Sequence, residues 1–298
     1  VEGITFRKFL PRDMSKTEPR LVVKDKIRDS SIWNRIKPRD NDIVIASCQK
    51  SGTTLTQQIV NLLINGHDNF KSIHDVSPWV EKLVDKVDIE HIEQLSEPRV
   101  LKTHLPFDAL PYYSNWKYIY LGRDPRDIGI SLYNQIQKFN QFKLVYDDCK
   151  DEVEFPDFWD KWIDTGEPWW SYWENLNSWW QVRYLPNVML VRYANLINHK
   201  PEEIKKIAKF LELEIDDSKL KMILQYSSLK YMRENWPKFE EKSSPQSGFL
   251  VNKGTNGRWQ NLLSDRQLQS YEKMLSERVE PACADWITNG KQVSINNW

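Results

Sequence analysis

Four short apolar runs punctuate the chain, and each ends in polar, small or basic residues. The run 42–47 contains Ile43-Val44-Ile45-Ala46, β-branched and without polar alternation, which predicts a parallel strand buried on both faces. It gives way to Cys48-Gln49-Lys50-Ser51-Gly52-Thr53-Thr54, after which Leu55, Ile59, Leu62 and Leu63 recur at helical spacing. A second run, 99–102, enters Thr103-His104-Leu105-Pro106, where the proline discourages continuation. The third, 117–121, breaks at Gly122-Arg123-Asp124-Pro125-Arg126-Asp127 before a helical pattern through Ile128 and Leu132. The fourth, 188–193, precedes a helix over 202–211 whose period suits packing on a sheet face. Strand and helix alternating in this way predict an α/β, doubly wound parallel sheet flanked by helices, with ligands bound beyond the carboxyl ends of its strands. The polar loops at 48–54, 103–106 and 122–127 would gather there.

Composition narrows the partners. At 298 residues and 40% hydrophobic content the chain can build one large core, and no linker or repeat divides it, so a single domain over 1–298 is expected. Lys plus Arg and Asp plus Glu both total 42, which leaves no net field to draw nucleic acid or an anionic membrane; an anion site must be local. No apolar run approaches the ~20 residues of a membrane span, and residues 1–12 lack the uncharged core of a secretory signal. Three widely spaced cysteines, Cys48, Cys149 and Cys283, suit a reducing compartment, so a cytoplasmic location is expected. Neither they nor His67, His74, His91 and His199 have metal-ligand spacing. Of the 14 tryptophans, seven crowd between Trp159 and Trp180; most are expected in the core, a few around a pocket.

A strand, then Lys50-Ser51-Gly52-Thr53-Thr54, then a helix makes an anion cradle: backbone N–H groups converge, the helix dipole adds positive potential and two threonine hydroxyls add donors. An ATP-binding P-loop places its lysine after the glycine and a hydroxyl on magnesium. Here the lysine comes first, which sets an ammonium at the mouth of the loop and disfavours a kinase. Taken alone, the string is equally compatible with an ordinary capped helix start.

The other loops add weight. Lys50-Ser51-Gly52-Thr53-Thr54, Lys102-Thr103-His104-Leu105-Pro106, Arg123 with Ser131, and Asn252-Lys253-Gly254 ahead of Gly257-Arg258-Trp259 together resemble the cytosolic-type sulfotransferase family in identity, order and spacing over most of the chain. That resemblance implies a three-layer α/β/α fold related to P-loop nucleotide kinases. It also implies 3′-phosphoadenosine 5′-phosphosulfate (PAPS) as donor, its bisphosphate (PAP) as product, and no metal. By position, Lys50, Ser51, Gly52, Thr53 and Thr54 would hold the 5′-phosphosulfate. Arg123 and Ser131 would hold the 3′-phosphate, Tyr193 and Ser227 or Ser228 would lie near the nucleotide, and Lys253 and Gly254 would close over it. His104 would be the base, assisted by Lys102.

Departures from the family pattern fall around the nucleotide. Leu55 and Leu229 stand where aromatic rings usually face adenine, and Asn252 replaces an arginine, removing a bidentate phosphate donor. A late dimer motif is poorly matched over 260–268, which favours a monomer. Sulfuryl transfer is a matter of alignment and charge stabilisation, like phosphoryl transfer. His104 can take a proton near neutral pH, while Lys50 and Lys102 face the charge on the leaving phosphate. Aromatic candidates for the small-molecule acceptor are Trp79, Phe107, Phe142, Tyr146 and Phe249, with Phe155, Trp159 and Phe239 behind them. The acidic run over 146–154 would favour a cationic acceptor if it faced the pocket. A small-molecule kinase and a non-catalytic relative are the alternatives.

Overall fold

The computed structural model describes residues 12–84, 88–139, 153–167, 169–240, 254 and 256–290. Its sheet has four strands, β1 (Ile43–Ser47), β2 (Val100–Thr103), β3 (Lys117–Gly122) and β4 (Val188–Arg192), in the order β2-β1-β3-β4. All pairs are parallel, with Ile43 opposite Val100 and Lys117, and Tyr118 opposite Val188. The four apolar runs became these strands within a residue or two of their predicted ends.

Both faces of the sheet are covered, as an unalternated apolar strand requires. On one side Ile43, Ile45, Ile119, Leu121, Met189 and Val191 pack with α1 (Thr53–Asn65), and with two later helices introduced below. On the other, Val44, Ala46, Leu101, Tyr118, Tyr120 and Val188 meet an aromatic core that contains Trp159, Trp162, Trp173, Trp179 and Trp180. The tryptophan-rich segment is therefore mainly structural, as its composition suggested.

The remaining described helices are α2 (Ile73–Val76), α3 (Ile89–Gln94), α4 (Pro125–Phe139), α5 (Phe155–Thr165), α6 (Tyr172–Gln181), α7 (Tyr193–Asn198), α8 (Lys200–Phe210), α9 (Asp217–Tyr226), α10 (Leu229–Glu234), α11 (Asp265–Arg278) and α12 (Pro281–Asn289). Helices α8 and α9 share the α1 side of the sheet, while α4, α5, α6, α11 and α12 supply the aromatic side. No helix among the described residues is long and apolar enough to cross a membrane.

Beyond β2 the sheet is extended by irregular backbone. Trp79 bridges Lys102 in parallel, with Val80 N–H donating to the Lys102 carbonyl at 3.1 Å and Lys102 N–H to the Pro78 carbonyl at 2.8 Å. Residues 27–29 pair in turn with 81–83, through Asp29 N–H to the Glu81 carbonyl and Leu83 N–H to the Ile27 carbonyl. The segment carrying Trp79 and Glu81 is thereby fixed beside the strand that delivers Lys102 and His104.

Candidate active site

Strand order reverses direction about β1 and β3, and in open parallel sheets ligands bind at such a switch point. The loops leaving β1 and β3 meet there: Arg123 donates from Nη1 to the Lys50 carbonyl at 2.7 Å. Its guanidinium lies 4.6 Å from the Tyr193 ring centroid, just past β4, and its own carbonyl accepts from the Tyr172 hydroxyl at 2.9 Å. The two neighbouring acids have partners of their own. Asp124 pairs with Arg126, and Asp127 accepts from the backbone N–H groups of Gly257 at 2.8 Å and Arg258 at 3.0 Å. Asp127, which the sequence did not single out, so pins the chain next to Gly254 onto α4.

The β1 loop has the form of an anion site. Lys50 and Gly52 both have positive φ, 62° and 96°. Gly52 caps α1 with no side-chain acceptor, so the first N–H groups of the helix remain available to an anion. Ser51 and Ser227 each bury a hydroxyl that has no hydrogen-bond partner among the described residues, an arrangement that costs stability unless a ligand supplies one. These residues fit a phosphorylated nucleotide. Thr53, by contrast, shares its hydroxyl with Ser47 at 2.6 Å.

Three cations converge on this loop. Lys50 is half-buried, and burial of its ammonium, then the charges of Arg123 and Lys102, bring its pKa down to about 7; Glu240 acts in the opposite sense. Buried Glu240 is a further group that no local motif announced. An anionic ligand would relieve the crowding.

His104 is buried at the end of β2. Its Nδ1 lies 2.9 Å from the Ser47 carbonyl, which can only accept, so Nδ1 carries the hydrogen and Nε2 is left with the basic lone pair. The His104 backbone N–H donates to Glu81 Oε1 at 2.7 Å, and its carbonyl accepts from Asn175 at 3.2 Å. Trp79 meets the imidazole edge-on, 4.8 Å between centroids at 84°, and Trp170 lies at 5.9 Å. Lys102 sits with its ammonium 4.8 Å from the Trp79 centroid. Arg28, also outside any motif, covers the Trp170 ring at 3.7 Å.

The nucleotide-side residues divide. Gly254, at φ 62°, would bring a Cβ to 3.3 Å from Leu229, so Leu229 lies directly under the segment expected to close. Leu55 and Leu229 belong to the same apolar cluster, with Phe70 and Phe239. Ser131 is buried in the second turn of α4. Ser228 is committed elsewhere, since its hydroxyl accepts from Tyr231 N–H as the cap of α10; of the serine pair, Ser227 is the one with a free hydroxyl.

Phe107 is corrected from acceptor contact to core. It is fully buried, and its ring packs on Tyr112, Tyr118 and Trp179 within the aromatic core. Trp159 and Phe239 are likewise fully buried. Lys253, Phe142, Tyr146, Phe249 and most of the acidic run fall outside the described residues.

Comparison with known proteins decides the family: the sulfotransferase-domain model matches residues 40–281. The chain belongs to the sulfotransferase domain family. Members of this family take a sulfuryl group from PAPS, and this chain is a sulfotransferase. Among its relatives, mouse sulfotransferase 1B1 is 27% identical over 279 residues, covering 86% of this chain and 90% of the relative. The dog sulfotransferase 1B1 is 29% identical, over 83% and 87%. In three dimensions the fold matches mouse sulfotransferase SULT7A1 complexed with PAP, with a TM-score of 0.71 at 18% identity over 90% of this chain and 96% of that one. Retinol dehydratase in complex with androsterone and inactive cofactor PAP gives 0.69 at 20% identity, over 84% of each chain.

Proposed function

We propose that this sulfotransferase passes the sulfuryl group of PAPS to a hydroxyl or amine of a small-molecule acceptor, with His104 as the general base. The observation that carries this reading is the Nδ1–Ser47 hydrogen bond, which puts the imidazole hydrogen on Nδ1 and the basic lone pair on Nε2. PAPS supplies an electrophilic sulfur already joined to a good leaving group. His104 Nε2 accepts the proton that the acceptor gives up as its bond to sulfur forms. Lys50, with Lys102 beside it, meets the negative charge left on the phosphate as the old sulfur–oxygen bond breaks. Ser51, Gly52, Thr53 and Thr54 hold the 5′ end through the start of α1, and Arg123 and Ser131 take the 3′-phosphate. Tyr193, Ser227, Lys253 and Gly254 enclose the nucleoside.

For the acceptor, the acidic run over 146–154 and the buried Glu240 near Lys50 support a cationic compound. Trp79, beside His104, is the aromatic contact we assign to it. Two buried thiols, Cys48 and Cys283, suit a reducing, cytoplasmic compartment. A radiolabelled-donor assay over phenols, steroids, amines and alkaloids tests the reading. Transfer to amines or alkaloids supports it, and turnover confined to neutral phenols or steroids removes the cationic class.

A further inference from the structure

Glu81 is fully buried, and among the described residues its carboxylate accepts three neutral N–H donors: Trp33 Nε1 on Oε2 at 3.1 Å, Trp79 Nε1 on Oε1 at 2.5 Å and His104 N–H on Oε1 at 2.7 Å. A carboxylate taken out of water is costly unless its lone pairs are used, and here each donor comes from a different part of the chain. Two of the three converge on one oxygen. They come from the residue read as the base and from the indole that stands edge-on to its ring.

We propose that Glu81 is a positioning residue for sulfuryl transfer. Through Oε1 it fixes the Trp79 indole and the His104 backbone relative to each other, so that the acceptor-facing ring and the basic nitrogen keep one geometry. This rests on His104 acting as the base. Ser47 holds the far side of the imidazole at Nδ1, and Glu81 holds the backbone from which the ring projects. The same anchor keeps Trp79 under the Lys102 ammonium, so the carboxylate organises three groups of the site while touching neither reactant.

Glutamine separates this role from packing. Its one carbonyl oxygen can replace Oε1, but its NH₂ then confronts the Trp33 N–H, donor against donor; turned over, it leaves Trp79 and His104 unmatched. Steady-state kinetics, PAP titration and melting curves on Glu81→Gln, Trp33→Phe and the double variant make the test. Either amide orientation leaves a buried donor unmatched beside the base, so Glu81→Gln is expected to lose at least about tenfold in kcat/KM for the acceptor. PAP affinity should stay within about twofold, because the donor loop keeps its own contacts. Trp33→Phe should melt earlier, since Oε2 loses its donor, but keep kcat/KM near wild type, and the double variant should regain most of the activity.

A Glu81→Gln protein that melts earlier but keeps wild-type kcat and KM overturns the inference, as does a double variant no better than Glu81→Gln. Should Glu81→Gln alone fail to fold, Trp33→Phe/Glu81→Gln and Trp33→Phe/Glu81→Met make the same comparison. They differ in the oxygen left for Trp79 and His104, and equal activity overturns the proposal. Full activity in His104→Ala would end the base assignment instead, an outcome distinct from normal activity in Glu81→Gln beside an inactive His104→Ala.

Discussion

The ring of Tyr193 fills the space that a side chain on Gly52 would need, its Cδ2 only 2.4 Å from the ideal Cβ position. Arg123 lies over that ring and donates to the Lys50 carbonyl, so the ends of β1, β3 and β4 form one packed unit around the donor loop. Gly52→Ala must expel Tyr193 and also hold an L side chain at φ 96°, a left-handed conformation costing about 1–2 kcal/mol by itself. Calorimetry should find PAP affinity down by at least about tenfold, with a lower melting temperature. Unchanged affinity would mean that the loop binds no phosphate.

Removing the base should spare the nucleotide. His104→Ala is expected to lose about 10²–10⁴-fold in kcat while PAP affinity stays close to wild type, since the bonds of His104 to Ser47, Glu81 and Asn175 lie outside the turn that begins α1. Single-turnover kinetics with a PAP titration on the same sample separate the two effects.

Lys50 predicts a proton count. With its pKa near 7 in the free protein, it is largely neutral at pH 8, and a bound bisphosphate should return the proton. PAP binding at pH 8 should therefore take up close to one proton, and at pH 6 almost none, as read by calorimetry in buffers of different ionisation enthalpy. Lys50→Arg, always charged, should abolish the uptake. The unfolded chain keeps this proton up to about pH 10.5 and the folded one releases it near 7, so Lys50 makes the free protein more stable as pH rises through that window. Melting curves of Lys50→Met should lack that slope.

Adenine should be held by aliphatic packing. Leu55 and Leu229 lie in one cluster, and Leu229 sits beneath Gly254. An aromatic face stacked on a base contributes about 1–3 kcal/mol. Leu55→Trp should therefore tighten PAP binding by roughly threefold to tenfold and sharpen the preference for adenine over other bases. Competition binding with bisphosphates of other nucleosides checks it.

Features coded by a few adjacent residues were legible in the sequence. The strands announced themselves as unalternated apolar runs, and Lys50, Lys102 and His104 each follow or end one of them, so parallel pairing had to bring them to the same edge of the sheet. Glu81, Arg28, Asp127 and Glu240 were not legible, because each owes its role to partners far away in the chain. Glu81 gains its meaning only when Trp33, Trp79 and His104 arrive around it. Phe107 misled for the converse reason. A phenylalanine after His-Leu-Pro suits a pocket or a core equally, and only the neighbouring Tyr118 and Trp179 decide between them.

Ser47 serves two masters: its carbonyl receives the imidazole hydrogen of His104, and its hydroxyl is tied to Thr53 at the first turn of α1. A nucleotide drawing on that turn pulls on the residue that selects the imidazole tautomer. The nitrogen resonances of His104 should consequently shift when the donor takes its place and before any acceptor arrives, so that the imidazole reports the occupancy of the neighbouring loop.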